Sequence, residues 1–126
     1  MRPNRWIAAV LSVALGLAGC GGSPPAAAPV GARAVPVLAA GLKAKDPNAR
    51  ARAAMSLGRM GPEARSAVPD LAAALKDREP SVRAAAAQAL GAVGPDAAPA
   101  RPALEALAKQ PLTRQVASEA LERIGP

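Results

Sequence analysis

Apolar residues recur along this chain at helical spacing. Val35, Leu38 and Leu42 fall three and four apart, and after a polar break Ala53, Leu57 and Met60 do the same. Such spacing puts each set on one face of a helix. The pair of stripes then returns twice. Ala34-Val35-Pro36-Val37-Leu38 stands over Ala67-Val68-Pro69-Asp70-Leu71 and over Ala100-Arg101-Pro102-Ala103-Leu104, so the prolines at 36, 69 and 102 are a constant 33 residues apart. Pro47, Asn48 and Arg50 stand over Pro80, Ser81 and Arg83, and Leu57, Met60, Gly61 and Pro62 over Leu90, Val93, Gly94 and Pro95. The third copy is two residues shorter before Pro111, after which Arg114, Leu121, Ile124, Gly125 and Pro126 resume the pattern.

Each unit therefore predicts two helices. Pro36 and its counterparts fit a first turn, where no intrahelical acceptor is lost. The second helix is expected to start near Pro47, Pro80 and Pro111. Gly61-Pro62 and Gly94-Pro95 are expected to end it, the glycine as a left-handed cap and the proline blocking continuation. No helix is apolar all round, so each has to bury its stripe against neighbours, which a stack of pairs does and a single pair does not. The expected fold is all-α, an α-solenoid of three stacked antiparallel helix pairs, in units of about 34–66, 67–99 and 100–126.

The stretches LKDREPSVRAAAAQALGAVG (75–94) and LKAKDPNARARAAMSLGRMG (42–61) resemble the HEAT-repeat family, in particular the short repeats of the phycobilisome-lyase type. The third copy, LAKQPLTRQVASEALERIG (107–125), is looser, with no acid where Asp77 stands. The once-per-unit arginines Arg50, Arg83 and Arg114 lie about 60° round the helix from the Ala53 position, flanking the buried face. In the family such arginines commonly form a ladder with acids of the inter-helix turn, which here implies Asp46, Asp77 or Glu79; a ligand site is the rival role. Stacked second helices usually form the concave side. That makes Arg52, Met55 and Arg59, then Ala85, Gln88 and Ala92, then Val116, Glu119 and Arg123 the candidate partner-binding face.

Composition narrows the chemistry. Phe, Tyr and His are absent, and the one tryptophan, Trp6, precedes the repeats. Without bulky aromatics the core has to bring backbones close across Ala, Leu and Val, which suits thin helical layers and argues against a β-sandwich. With no imidazole base, no serine beside an activating group, and Glu119 and Glu122 unmatched as an acid and base pair, no catalytic residue is assigned. No cofactor and no metal site are expected either. The His-Glu pairs that hold iron in some HEAT-repeat enzymes have no counterpart here.

The N-terminus carries a different signal. Met1 to Arg5 is basic, Trp6 to Leu17 is a short apolar run, and small residues follow. A span needs about 20 apolar residues, so the run is too short for one, and the order is that of a secretory signal peptide. Leu17-Ala18-Gly19-Cys20 resembles the lipobox of bacterial lipoproteins. The resemblance implies a signal peptide over 1–19, cleavage before Cys20, and lipidation of Cys20, the only cysteine. Gly21 in place of an aspartate leans towards the outer membrane if there is one. Residues 20–31, rich in Gly, Pro and Ala, read as a flexible tether, and 32–126 as the repeat domain.

The formal net charge is +7. Cleavage removes Arg2 and Arg5, and the remaining excess of basic residues is expected to be spread over the units. With no aromatics for base stacking, and with export, no nucleic acid is expected; anionic lipid or an acidic partner stays open. The reading is an exported, membrane-anchored lipoprotein on the periplasmic or cell-surface side: a non-enzymatic protein-interaction or scaffolding module whose partner protein is unidentified. The alternative is a lyase-like or chaperone-like accessory subunit of an enzyme complex. A last unit without a polar cap would further allow self-association through the exposed terminal repeat, or a place within a longer array.

Overall fold

The computed structural model describes residues 30–126. Among them six α-helices alternate with turns: α1 (Val30–Gly41), α2 (Pro47–Met60), α3 (Val68–Ala74), α4 (Pro80–Val93), α5 (Arg101–Ala108) and α6 (Arg114–Ile124). Two 3-10 segments, Gly61–Ala67 and Gly94–Ala100, lead into α3 and α5. The fold is thus an all-α solenoid of three helix pairs, with α2, α4 and α6 packed side by side as one layer and the first helices as the other. Residues 1–29, and with them the expected signal peptide, Cys20 and most of the expected tether, lie outside the described residues.

Four local expectations are corrected. Val30 and Gly31, assigned to the tether, belong to α1, which makes Pro36 an interior residue of that helix rather than a first-turn one. Pro69 and Pro102 do sit in the first turns of α3 and α5. Gly61 and Gly94 have positive φ, 60° and 83°, but ψ of −134° and −145° places them outside the left-handed helical region. Glycine alone tolerates that extended conformation, and it turns the chain sharply, so the following proline opens a 3-10 segment instead of a loop. Pro111 does not start the last helix. It lies in a turn, and α6 starts three residues later at Arg114. Lastly, α4 is not one-sided: Val82, Ala85, Ala86, Ala87, Ala89, Leu90, Gly91 and Val93 are all buried, because it has a helix on either flank.

Small residues make that close flanking contact. A Cβ on Gly58 would stand 3.2 Å from the Cα of Ala89, and one on Gly91 would stand 3.0 Å from the Cα of Ala120. The two glycines are 33 apart and mark the line along which one second helix meets the next. Leu57, Leu71, Leu90, Leu104, Leu107, Val82 and Val93 fill the space between the layers.

The two ends of the stack differ. On the side facing the next unit, α2 presents Ala51, Ala54 and Gly58, and α4 presents Ala84, Ala87 and Gly91. The same register on α6 carries Gln115, Ser118 and Glu122, with Gln115 and Glu122 exposed. The last helix therefore has a polar outer face where an uncapped apolar edge was expected, and the exposed apolar residue of this unit, Leu112, lies in the turn before it. At the other end Leu38, Ser56 and Met60 are only half-buried, whereas their counterparts Leu71, Ala89 and Val93 are buried. Val37 on α1 is 72% exposed.

Candidate functional site

Of the arginines expected to form a ladder, one meets a carboxylate. Arg50, in the first turn of α2, donates from Nε to Asp77 Oδ2 at 2.7 Å and from Nη2 to Asp77 Oδ1 at 3.0 Å, a two-pronged bond between units. Its Nη1 donates to the carbonyls of Ala44 and Lys45, tying the arginine to its own inter-helix turn. Burial alone would push the Asp77 pKa up. The Arg50 hydrogen bond, the N–H of Glu79 and the charges of Arg50 and Arg78 outweigh it, and the carboxyl is held below its ordinary range. The hydrogen bond to Asp77 raises the Arg50 pKa.

Arg83 repeats half of this arrangement. Its Nη1 donates to the carbonyls of Asp77 and Arg78, as that of Arg50 does one unit earlier. No acid stands at the Asp77 position of the third unit, and the buried Nε of Arg83 has no hydrogen-bond partner. Gln110 lines the same cleft as Arg83. Arg114 is exposed on the last unit, and the structure gives it no hydrogen bond to an acid. Asp46 serves α2 instead, accepting from the N–H of Asn48 as its N-cap, a use that stabilises helix starts.

The layer of second helices carries an open groove of about 310 Å³. It brings together Met55 and Arg59 of α2, Gln88 of α4, and Glu119 and Arg123 of α6; Arg52, exposed on α2, is not part of its lining. The floor is made of Gly58, Ala89, Gly91 and Ala120, the same small residues that let the helices approach. Helix–helix contact and groove thus have one cause: where no long side chain projects, the helices close up and the surface between them dips. The rim is mixed, two arginines and one glutamate, with Met55 48% exposed. Gln115 donates to Glu119 at 3.1 Å and steadies it.

Sequence reasoning missed Thr113. It is buried in the turn before α6, and its hydroxyl donates to the Leu107 carbonyl at 3.1 Å. The shortened turn of the third unit leaves that carbonyl in reach of a buried hydroxyl, at the register held by Val82 in unit two. The two missing residues before Pro111 were the visible sign of it.

The uneven charge was also missed. Between Val30 and Ser66 seven basic residues (Arg33, Lys43, Lys45, Arg50, Arg52, Arg59, Arg65) face two acids, Asp46 and Glu63, while 67–99 carries three basic and four acidic residues and 100–126 four and three. The excess is not spread over the units; it sits in the first.

Helix pairs repeating in register, a continuous core between two layers and a groove along the second helices define an α-solenoid repeat protein. The chain belongs to the HEAT-repeat family, whose sequence model, described as HEAT repeats, matches residues 31–125. A comparison with curated proteins finds no match. HEAT repeats are generally protein-interaction or scaffolding modules, and the family is typically non-enzymatic.

Proposed function

We propose that this protein is a non-enzymatic binding module of the bacterial cell envelope, held at a membrane by acyl chains on Cys20 and presenting the groove of its second helices to a protein partner. The observation that carries the binding role is the groove itself. Three successive helices contribute to it, its floor is backbone and small side chains, and its rim offers Arg59 and Arg123, Glu119, the Gln88 amide and the Met55 thioether. Such a surface has hydrogen-bonding and apolar partners for a polypeptide, and the close-packed layer beneath keeps it rigid. The anchor is supported by Leu17-Ala18-Gly19-Cys20 at the end of a short apolar run. One acyl chain holds a protein marginally and two or three hold it stably.

A photo-reactive residue in place of Gln88, expressed in cells that export the chain, tests the groove. The expected result is a discrete crosslinked species in the envelope fraction, lost when Arg59→Glu and Arg123→Glu are added. Crosslinks that survive both reversals, or none at all, contradict the groove as the binding face. If the crosslinked species is an enzyme whose activity needs this chain, the accessory-subunit role holds. A polar outer face on α6 disfavours self-association through the last unit.

A further inference from the structure

Two properties coincide in the first unit. It holds the whole excess of positive charge, with Arg33, Lys43, Lys45, Arg52 and Arg59 all exposed. Its outer edge, which no other described residue covers, is also the apolar end of the stack. Val37 is 72% exposed at the register of Asp70 and Ala103, which are half-buried in units that have a neighbour on that side. At the opposite end Gln115 and Glu122 face outward from α6 and the local charge nearly balances, although Leu112 in the turn before that helix is exposed.

We propose that the first unit docks onto an anionic phospholipid surface, with Arg33, Lys43 and Lys45 of its first helix and following turn over the headgroups and Val37 entering the interface. Charge complementarity argues for this occupant. Three exposed basic side chains, Arg33, Lys43 and Lys45, with Asp46 the one acid beside them, are what an anionic leaflet attracts, and each basic side chain brought to such a surface is worth roughly fivefold in partition. Apolar contact adds to it, as in interfacial elements that combine the two. A second copy is a poor rival, since it would bring the same positive charge against itself, and the polar α6 face offers nothing to an apolar edge. Chain length argues the same way. Only Gly21 to Pro29 separate Cys20 from α1, and nine residues span at most about 30 Å. This last point rests on the anchor proposed above; the charge argument does not. Docking would fix how the stack stands on the membrane and leave the groove and the last unit turned towards partners.

The described residues contain no tryptophan, so a single one is a clean reporter. The mature acylated protein carrying Val37→Trp, with Trp6→Phe to silence any unprocessed chain, is placed on vesicles of phosphatidylcholine alone and of phosphatidylcholine with about a third phosphatidylglycerol. A second version carries Leu112→Trp instead, a site 78% exposed in the last unit. The expected result is blue-shifted emission and quenching by brominated lipid at residue 37 on the anionic vesicles only. Molar salt, or Lys43→Glu with Lys45→Glu, should reverse it, while residue 112 emits as in water throughout. Emission at residue 37 that is the same on both vesicle types, or no different from residue 112, overturns the docking. Retention on the neutral vesicles reads the anchor separately. A chain washed off those, yet shifted at residue 37 on the anionic ones, has lost the anchor and kept the docking.

Discussion

At the scale of single residues, the joint between the first two units depends on one aspartate used three ways. Asp77 accepts from two of the three guanidinium nitrogens of Arg50 and from the N–H of Glu79, and its carbonyl accepts from Arg83. Because its pKa is lowered by folding, the stability it adds is full above the ordinary aspartate range, about pH 4, and is lost as pH falls through the lower folded value. Thermal unfolding followed by circular dichroism between about pH 6 and pH 2.5 should therefore show a steeper acid decline for the native chain than for Asp77→Asn. Equal slopes would mean that the carboxylate is not what the arginine holds. Arg83 supplies the complementary test. Its buried Nε has no partner and Gln110 lines the same cleft, so Gln110→Glu should raise stability, by up to about 1 kcal/mol. A loss on that substitution would place Gln110 elsewhere. The recurrence of arginine was plain in the sequence, as was the missing acid in unit three. Which acid pairs with which arginine was not, because the pair joins residues 27 apart across two units and only stacking brings them together.

At the scale of elements, close approach between second helices decides the geometry. Gly91 sits where a Cβ would come within 3.0 Å of the Ala120 backbone. Replacing glycine in a helix ordinarily gains about 1 kcal/mol of propensity, so the sign of the effect discriminates. Gly91→Leu should cost about 1–3 kcal/mol or more by forcing α4 and α6 apart, measured by denaturant unfolding. Glu122→Ala, at the same register on the free face of α6, should stay within about 0.5 kcal/mol. A neutral Gly91→Leu would show that the layer is looser than described. Helix identity and order were legible from the 33-residue period and from the apolar stripes. The start of α6 and the 3-10 segments were not, since a deleted turn and a proline after an extended glycine leave the same residues on the page whichever way the chain bends. Thr113 shows the cost of that blindness: it reads as an ordinary polar turn residue until the turn tightens and buries it.

At the scale of the whole molecule, the stack is polarised. A basic, apolar-edged first unit and a near-neutral last unit with a polar-faced final helix give it two different ends, and the groove runs across the second helices between them. Gln115 and Glu122 on the outer face of α6 predict a monomer. Light scattering on a detergent-free chain that begins at residue 21 should return a single-chain mass at about 0.1 mM; a dimer that Glu122→Ala strengthens would reverse that reading. The central claim is attachment at Cys20, and one measurement meets it directly. Intact mass and detergent partitioning of the full-length product made in a bacterium, beside Cys20→Ala, should show loss of residues 1–19, an added acyl mass and recovery in the detergent phase, all abolished in the variant. An unmodified full-length chain in the cytosol would contradict the account, leaving the helical stack and its groove but returning cytosolic proteins and nucleic acid as candidate partners.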